Sequence, residues 1–257
     1  MKPDIERTDQ DIAIVRISNP PANRLSAELL QAVAAAANDF QVNTPKAVII
    51  TGVGGTFSLG GDDDLFTPLF DGAAGAGWVH DTFRAAFDAV AKIPCVTIAA
   101  LDGHAAAGGF ELALSCDFRI ATAETTLALP EVPFGIIPGA GGTQRLSRLV
   151  GVGRALDIIL TGRAVSAAEA LAIGLISRVA GPGETALAQA VALARSFLER
   201  QPSAFLAAKR AVHDGYALPL ASAIDEERRQ FIAAVSAEDG QKALHALAEA
   251  VSTGTLV

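Results

Sequence analysis

Residues 95–121, CVTIAALDGHAAAGGFELALSCDFRIA, decide the fold. Cys95 to Leu101 is a continuous apolar run of strand length, the pattern of a strand buried on both faces. Asp102-Gly103 is turn chemistry that ends it. After Gly108-Gly109 a short helix runs through Leu112 and Leu114, and Phe118 to Ala121 reads as the next strand. Strand, turn, helix and strand within so short a span indicate an α/β core.

The same alternation extends in both directions. Upstream, Ile12, Ile14 and Ile17 lie in a short alternating strand, and Ser26 caps a helix with Leu29, Leu30, Val33 and Ala37 on one stripe. Lys46 to Thr51 is a β-branched strand closed by Gly52-Val53-Gly54-Gly55. A helix carrying Phe83, Phe87 and Val90 follows, and Pro94 stops it. Downstream of Gly141 the text is mainly helical, including Glu184 to Glu199, Ser203 to Asp214 and Glu238 to Val251. Taken alone, the alternation fits a doubly wound parallel sheet with a helical C-terminal part.

Composition narrows the function classes. The chain has 257 residues, 51% hydrophobic and 19% charged, with a net charge of −8. That length buries a full core without staples. An acidic surface lacks the cationic face that duplex nucleic acid requires, and it disfavours membrane surfaces and polyanions held by bulk charge. Met1 to Asp11 has no apolar segment of signal-peptide length, and no stretch reaches the roughly 18 apolar residues of a membrane span. Cys95 and Cys116 read as buried free thiols of a reducing cytoplasm.

Four loops could carry chemistry. Phe57 to Asp64 places glycines after a strand, where backbone N–H groups can face a ligand oxygen. Its three aspartates do not converge as a hard-metal site needs, so a solvated turn with one Asp capping a helix is preferred over a metal. Gly52-Val53-Gly54 begins like a dinucleotide fingerprint, but Phe57 stands where the third glycine belongs, and Gly139 to Thr143 lacks the lysine of a phosphate loop. Ala105 to Glu111 crowds small residues at a helix N-terminus, where N–H groups and the dipole favour negative charge. Glu111 by itself reads as a first-turn acid that steadies its helix. Glu131 is a lone carboxylate between Pro130 and Pro133 in an apolar stretch, costly there unless paired or used. Ile137 to Leu146 is glycine-rich and opens another helix. Two carboxylates with exposed backbone donors suit enolate chemistry beside a carbonyl. His80, His104, His213 and His245 are scattered and read as structural or solvent-facing.

On these motifs the sequence resembles the enoyl-CoA hydratase/isomerase (crotonase) superfamily over nearly its whole length. The resemblance is carried by Asn19 to Ser26, Phe57 to Asp62, Asp102 through Asp117, Pro130-Glu131 and Gly135 to Leu146. It continues in Thr161-Gly162-Arg163, Ala168-Glu169-Ala170, Gly174-Leu175 and Ala207 to Val212. It implies an α/β crotonase (ClpP-like) fold, a spiral of stacked ββα turns over 1–195. A C-terminal helical region over 196–257 would assemble a homotrimer or a hexamer. It further implies that Glu131 protonates Cα of a 2-trans-enoyl-CoA while Glu111 activates the water that attacks Cβ, giving 3-hydroxyacyl-CoA as in fatty-acid β-oxidation. The implied oxyanion hole is the N–H of Leu59 with that of Gly108. Ala22, Leu59, Gly60, Gly61, Asp62, Gly108 and Gly139 would bind the acyl-CoA thioester. No cofactor or metal beyond the substrate's own coenzyme A is implied, and no nucleic-acid or membrane partner. An enoyl-CoA isomerase, another CoA-thioester enzyme and a non-catalytic acyl-CoA binder are the alternatives on this scaffold. A nicotinamide oxidoreductase is the outsider. The chain departs from the family pattern in the bulk of Leu59 and Phe110, in the acidic run Asp62 to Asp64 and in the C-terminal helix Gly240 to Leu247.

Overall fold

The computed structural model describes residues 2–253. The chain forms two compact units, Met1–Ala192 and Leu193–Val257. The first unit opens with β1 (Asp4–Arg7), β2 (Ile12–Ile17), α1 (Ala27–Val42), β3 (Ala47–Gly52) and β4 (Thr56–Ser58). Next come α2 (Asp63–Phe66), a 3-10 turn (Thr67–Asp71), α3 (Ala73–Ala91), β5 (Val96–Leu101), β6 (His104–Ala106) and α4 (Gly108–Leu114). Then follow β7 (Phe118–Ala121), β8 (Thr126–Ala128), a second 3-10 turn (Val132–Phe134), α5 (Gly142–Val150) and α6 (Val152–Thr161). After β9 (Val165–Ser166), α7 (Ala167–Ala172) and β10 (Arg178–Val179), α8 (Ala186–Leu198) runs across the division between the units. The second unit continues as α9 (Pro202–Tyr216), α10 (Leu220–Ser236) and α11 (Glu238–Thr253).

The strands do not build one doubly wound sheet. β3, β5 and β7 lie side by side and parallel in a six-stranded sheet of order β1-β2-β3-β5-β7-β10. The short strand after each of them, β4, β6 and β8, belongs to a second sheet of order β4-β6-β8-β9, again parallel through its first three members. Each turn of chain therefore contributes one strand to each sheet and then a helix, which makes a ββα spiral. Element alternation could not separate the two arrangements, because β4, β6 and β8 are only three residues each, too short to show a period of two.

The local signals explain the elements. All six residues of β5 are buried, as a parallel strand covered on both faces must be. Ser26 caps α1 by accepting the Leu29 N–H, and Leu29, Leu30, Val33, Ala37 and Phe40 bury one stripe of that helix. Successive turns of the spiral approach so closely that a Cβ on Gly109 would stand 2.2 Å from the Ser58 carbonyl oxygen. Asp102, which ends β5, accepts the N–H groups of Ala186 and Leu187 at 2.6 and 3.3 Å and so caps α8. Cys95 and Cys116 are buried and are not joined in a disulfide.

Candidate active site

The spiral gathers α3, α4, the segment around Gly61 and the loop after β8 around one cavity of about 480 Å³. Its walls are Leu65, Phe66, Leu69, Val79, Phe83, Ile136 and Ile137 with several small residues. The polar side chains that reach it are Glu111, Glu131 and His80. An apolar pocket with a few convergent polar groups is the usual form of a small-molecule site.

Glu111 sits in the first turn of α4 and is 3% exposed. One oxygen, Oε1, accepts the N–H of Ala140 at 2.8 Å and the N–H of Gly142 at 2.7 Å, where the glycine-rich loop leads into α5. Burial pushes its pKa up, and those two N–H donors pull it back toward the ionised form. Glu131, 8% exposed, begins the 3-10 turn after β8. Its Oε2 is buried with no hydrogen-bond partner among the described residues. Burial, and then the charge of Glu111, push Glu131 up to about 7. The two backbone donors favour charge on Glu111, while Glu131 has no such donor on its Oε2.

Backbone donors face the same cavity, but one of them is not the residue the sequence pointed to. The N–H of Leu59 donates to the Ala22 carbonyl at 3.0 Å, and Leu59 does not line the cavity. Leu59 is thus corrected as an oxyanion donor, because its hydrogen is already engaged. Two residues on, Gly61 does line the cavity. It bridges to Leu25 through its neighbours: the Leu25 N–H donates to Gly60 and the Asp62 N–H donates to Leu25. That leaves the N–H of Gly61 outside the pairing and without an acceptor among the described residues. Gly108 is the first residue of α4, where a helix has no internal acceptor for its N–H. The preceding Ala107 takes φ +48, a conformation rare outside glycine that marks strain beside a site.

Of the expected substrate-binding positions, Gly61, Gly108 and Gly139 line the cavity, while Ala22, Leu59, Gly60 and Asp62 do not. Leu59, Gly60 and Asp62 form a strip zipped against residues 19–25, of which Ala22 is one. Asp62 accepts the Asn19 amide at 3.0 Å and caps α2, and Asp64 accepts the Ala27 N–H at 2.8 Å. Asp62 and Asp64 of the acidic run are therefore occupied in holding two helix starts. Phe110 is fully buried in the core and does not reach the cavity. His80 does reach it, although it reads from the sequence as structural or solvent-facing. Ala76, Val79, His80 and Phe83 recur at helical spacing on one face of α3, and that periodicity is the signal that could have placed it.

Repeated ββα turns that split their strands between two sheets, with a two-carboxylate cavity beside them, define the crotonase fold class. The chain belongs to the enoyl-CoA hydratase/isomerase family, whose model matches residues 7–253. It is similar to a probable enoyl-CoA hydratase of Bacillus subtilis, 34% identical over 242 residues covering 94% of this chain and 93% of that one. Among solved structures it is similar to the enoyl-CoA hydratase of Bacillus anthracis, with a TM-score of 0.88, 32% identity and 96% of each chain covered. It is also similar to Pseudomonas aeruginosa DspI, with a TM-score of 0.89, 34% identity, and 96% of this chain and 94% of that one covered. Among the described residues no helix is long and apolar enough to cross a membrane.

Proposed function

We propose that the protein is an enoyl-CoA hydratase that adds water to a 2-trans-enoyl-CoA to give 3-hydroxyacyl-CoA. The observation that carries this reading is the unequal carboxylate pair: Oε1 of Glu111 accepts two backbone N–H groups, while Glu131 has no partner on Oε2 among the described residues and is pushed up to about 7. A general acid works best with its pKa near the operating pH.

In this mechanism the thioester oxygen accepts the N–H groups of Gly61 and Gly108. Glu111 takes a proton from water as the water oxygen bonds to Cβ. The π electrons move toward the thioester, and the developing charge rests on its oxygen, between donors that need no reorganisation. Glu131 then delivers its proton to Cα. Glu111 ends protonated and Glu131 ionised, and one proton passing back resets the pair. The acyl chain lies along Leu65, Val79, Phe83 and Ile137.

The test is loss of enoyl-thioester absorbance with crotonyl-CoA and a longer homologue, using the native chain, Glu111→Gln and Glu131→Gln. Hydration by the native chain with a fall of roughly 10²–10⁴-fold in each variant supports the reading. A product without the mass of added water would instead make the protein an isomerase, and unchanged turnover in Glu131→Gln would remove the acid from the mechanism.

A further inference from the structure

We propose that Arg145 is a positioning residue that fixes the water-activating carboxylate, with Asp88 as its anchor; this rests on the role given to Glu111 above. Glu111 is held by the N–H groups of Ala140 and Gly142, so its orientation is only as firm as that stretch of backbone. The stretch has its own clamp. Arg145, on the first turn of α5, donates from Nη1 to the Ala140 carbonyl at 3.0 Å. The other arm of the same guanidinium, Nη2, donates to Asp88 Oδ1 on α3 at 2.8 Å. One planar fork thus ties the loop that holds Glu111 to the helix whose Val79, His80 and Phe83 wall the cavity.

The loop is shaped for this guanidinium. A Cβ on Gly141 would stand 2.2 Å from Arg145 Nη1, and Gly141 takes φ +103, so the residue between the two N–H donors must be bare. Arg145 does not line the cavity and reaches Glu111 through the Ala140 backbone and through its charge. The charged groups around the arrangement are few. Asp88 faces the guanidinium and is itself bonded by Arg84 on the preceding turn of α3. Glu111 faces Glu131 and His80 across the cavity, and the positive charge of Arg145 favours its ionised form.

The experiment measures kcat, KM and the pH profile of enoyl-CoA hydration for the native chain, Arg145→Gln, Asp88→Asn and the double variant, with Glu111→Gln alongside. A loosened Glu111 should lower kcat by roughly 10-fold or more in Arg145→Gln, since a misplacement of about 1 Å costs up to 10²-fold. KM stays within about twofold, because the substrate does not touch Arg145. The acidic limb of kcat/KM moves to higher pH as Glu111 loses its neighbouring charge. The double variant loses no more than the larger single one, the mark of two groups in one clamp.

Native kcat in Arg145→Gln, a change in KM alone, or a lower kcat with an unmoved acidic limb overturns the proposal. If Arg145→Gln does not fold, as judged by circular dichroism, Asp88→Asn carries the test: kcat falls severalfold with KM within about twofold, and native kcat overturns the proposal. Full hydration by Glu111→Gln would instead overturn the role of Glu111, which separates the two failures.

Discussion

Replacing Glu131 by Gln should make the protein more stable above neutral pH while removing its activity. Folding raises the Glu131 pKa from 4.5 to about 7, because the carboxylate is buried and lies near another. Between those values the folded chain binds more of this proton than the unfolded chain does. Stability therefore falls as pH rises through the window from 4.5 to about 7, and the cost is fully present above it. At about 1.4 kcal/mol per pKa unit the full shift corresponds to about 3.4 kcal/mol, and solvent entering by the cavity mouth brings the expected penalty to about 2 kcal/mol. Glutamine keeps the shape and carries no charge, so the variant escapes the penalty. Urea unfolding of both proteins at equal protomer concentration, from pH 4.5 to 8.5, reads this directly. The gain should be about 2 kcal/mol at the alkaline end and vanish at the acidic end. A variant less stable than the native chain at alkaline pH, or a difference that does not change with pH, would refute the reasoning.

Two further substitutions test the surroundings of the site. Gly142→Ala places a Cβ 2.8 Å from Glu111 Oε1 and 3.0 Å from the Pro138 Cβ, so the carboxylate must move. Enoyl-CoA turnover should fall by roughly 10²-fold with the fold retained, read by steady-state kinetics and circular dichroism. Asp102→Ala strips two N–H groups at the start of α8 of their acceptor and should cost about 1 kcal/mol in urea unfolding with kcat unchanged.

Much of this was legible in the residues. The buried run Val96–Leu101, the cap at Ser26 and the strand Phe118–Ala121 are local patterns, and the structure places each of them as read. Glu131 stands out as a carboxylate in apolar text, and its Oε2 is buried without a hydrogen-bond partner among the described residues. What the sequence could not carry was direction. Whether Leu59 or Gly61 offers its N–H depends on the bridge to Leu25, a contact 36 positions away from Gly61. The charge at Glu111 likewise depends on donors some thirty residues along the chain. His80, one of four scattered histidines, reads as structural or solvent-facing, yet its helical phase turns it to the cavity.

The most direct test is hydration of an enoyl-CoA in water labelled with heavy oxygen, followed by mass spectrometry of the product. If Glu111 activates water at Cβ, the product carries one labelled hydroxyl at C3, and it forms roughly 10²–10⁴-fold more slowly with Glu111→Gln. An unlabelled product of unchanged mass, or labelled product formed as fast with Glu111→Gln as with the native chain, would contradict it.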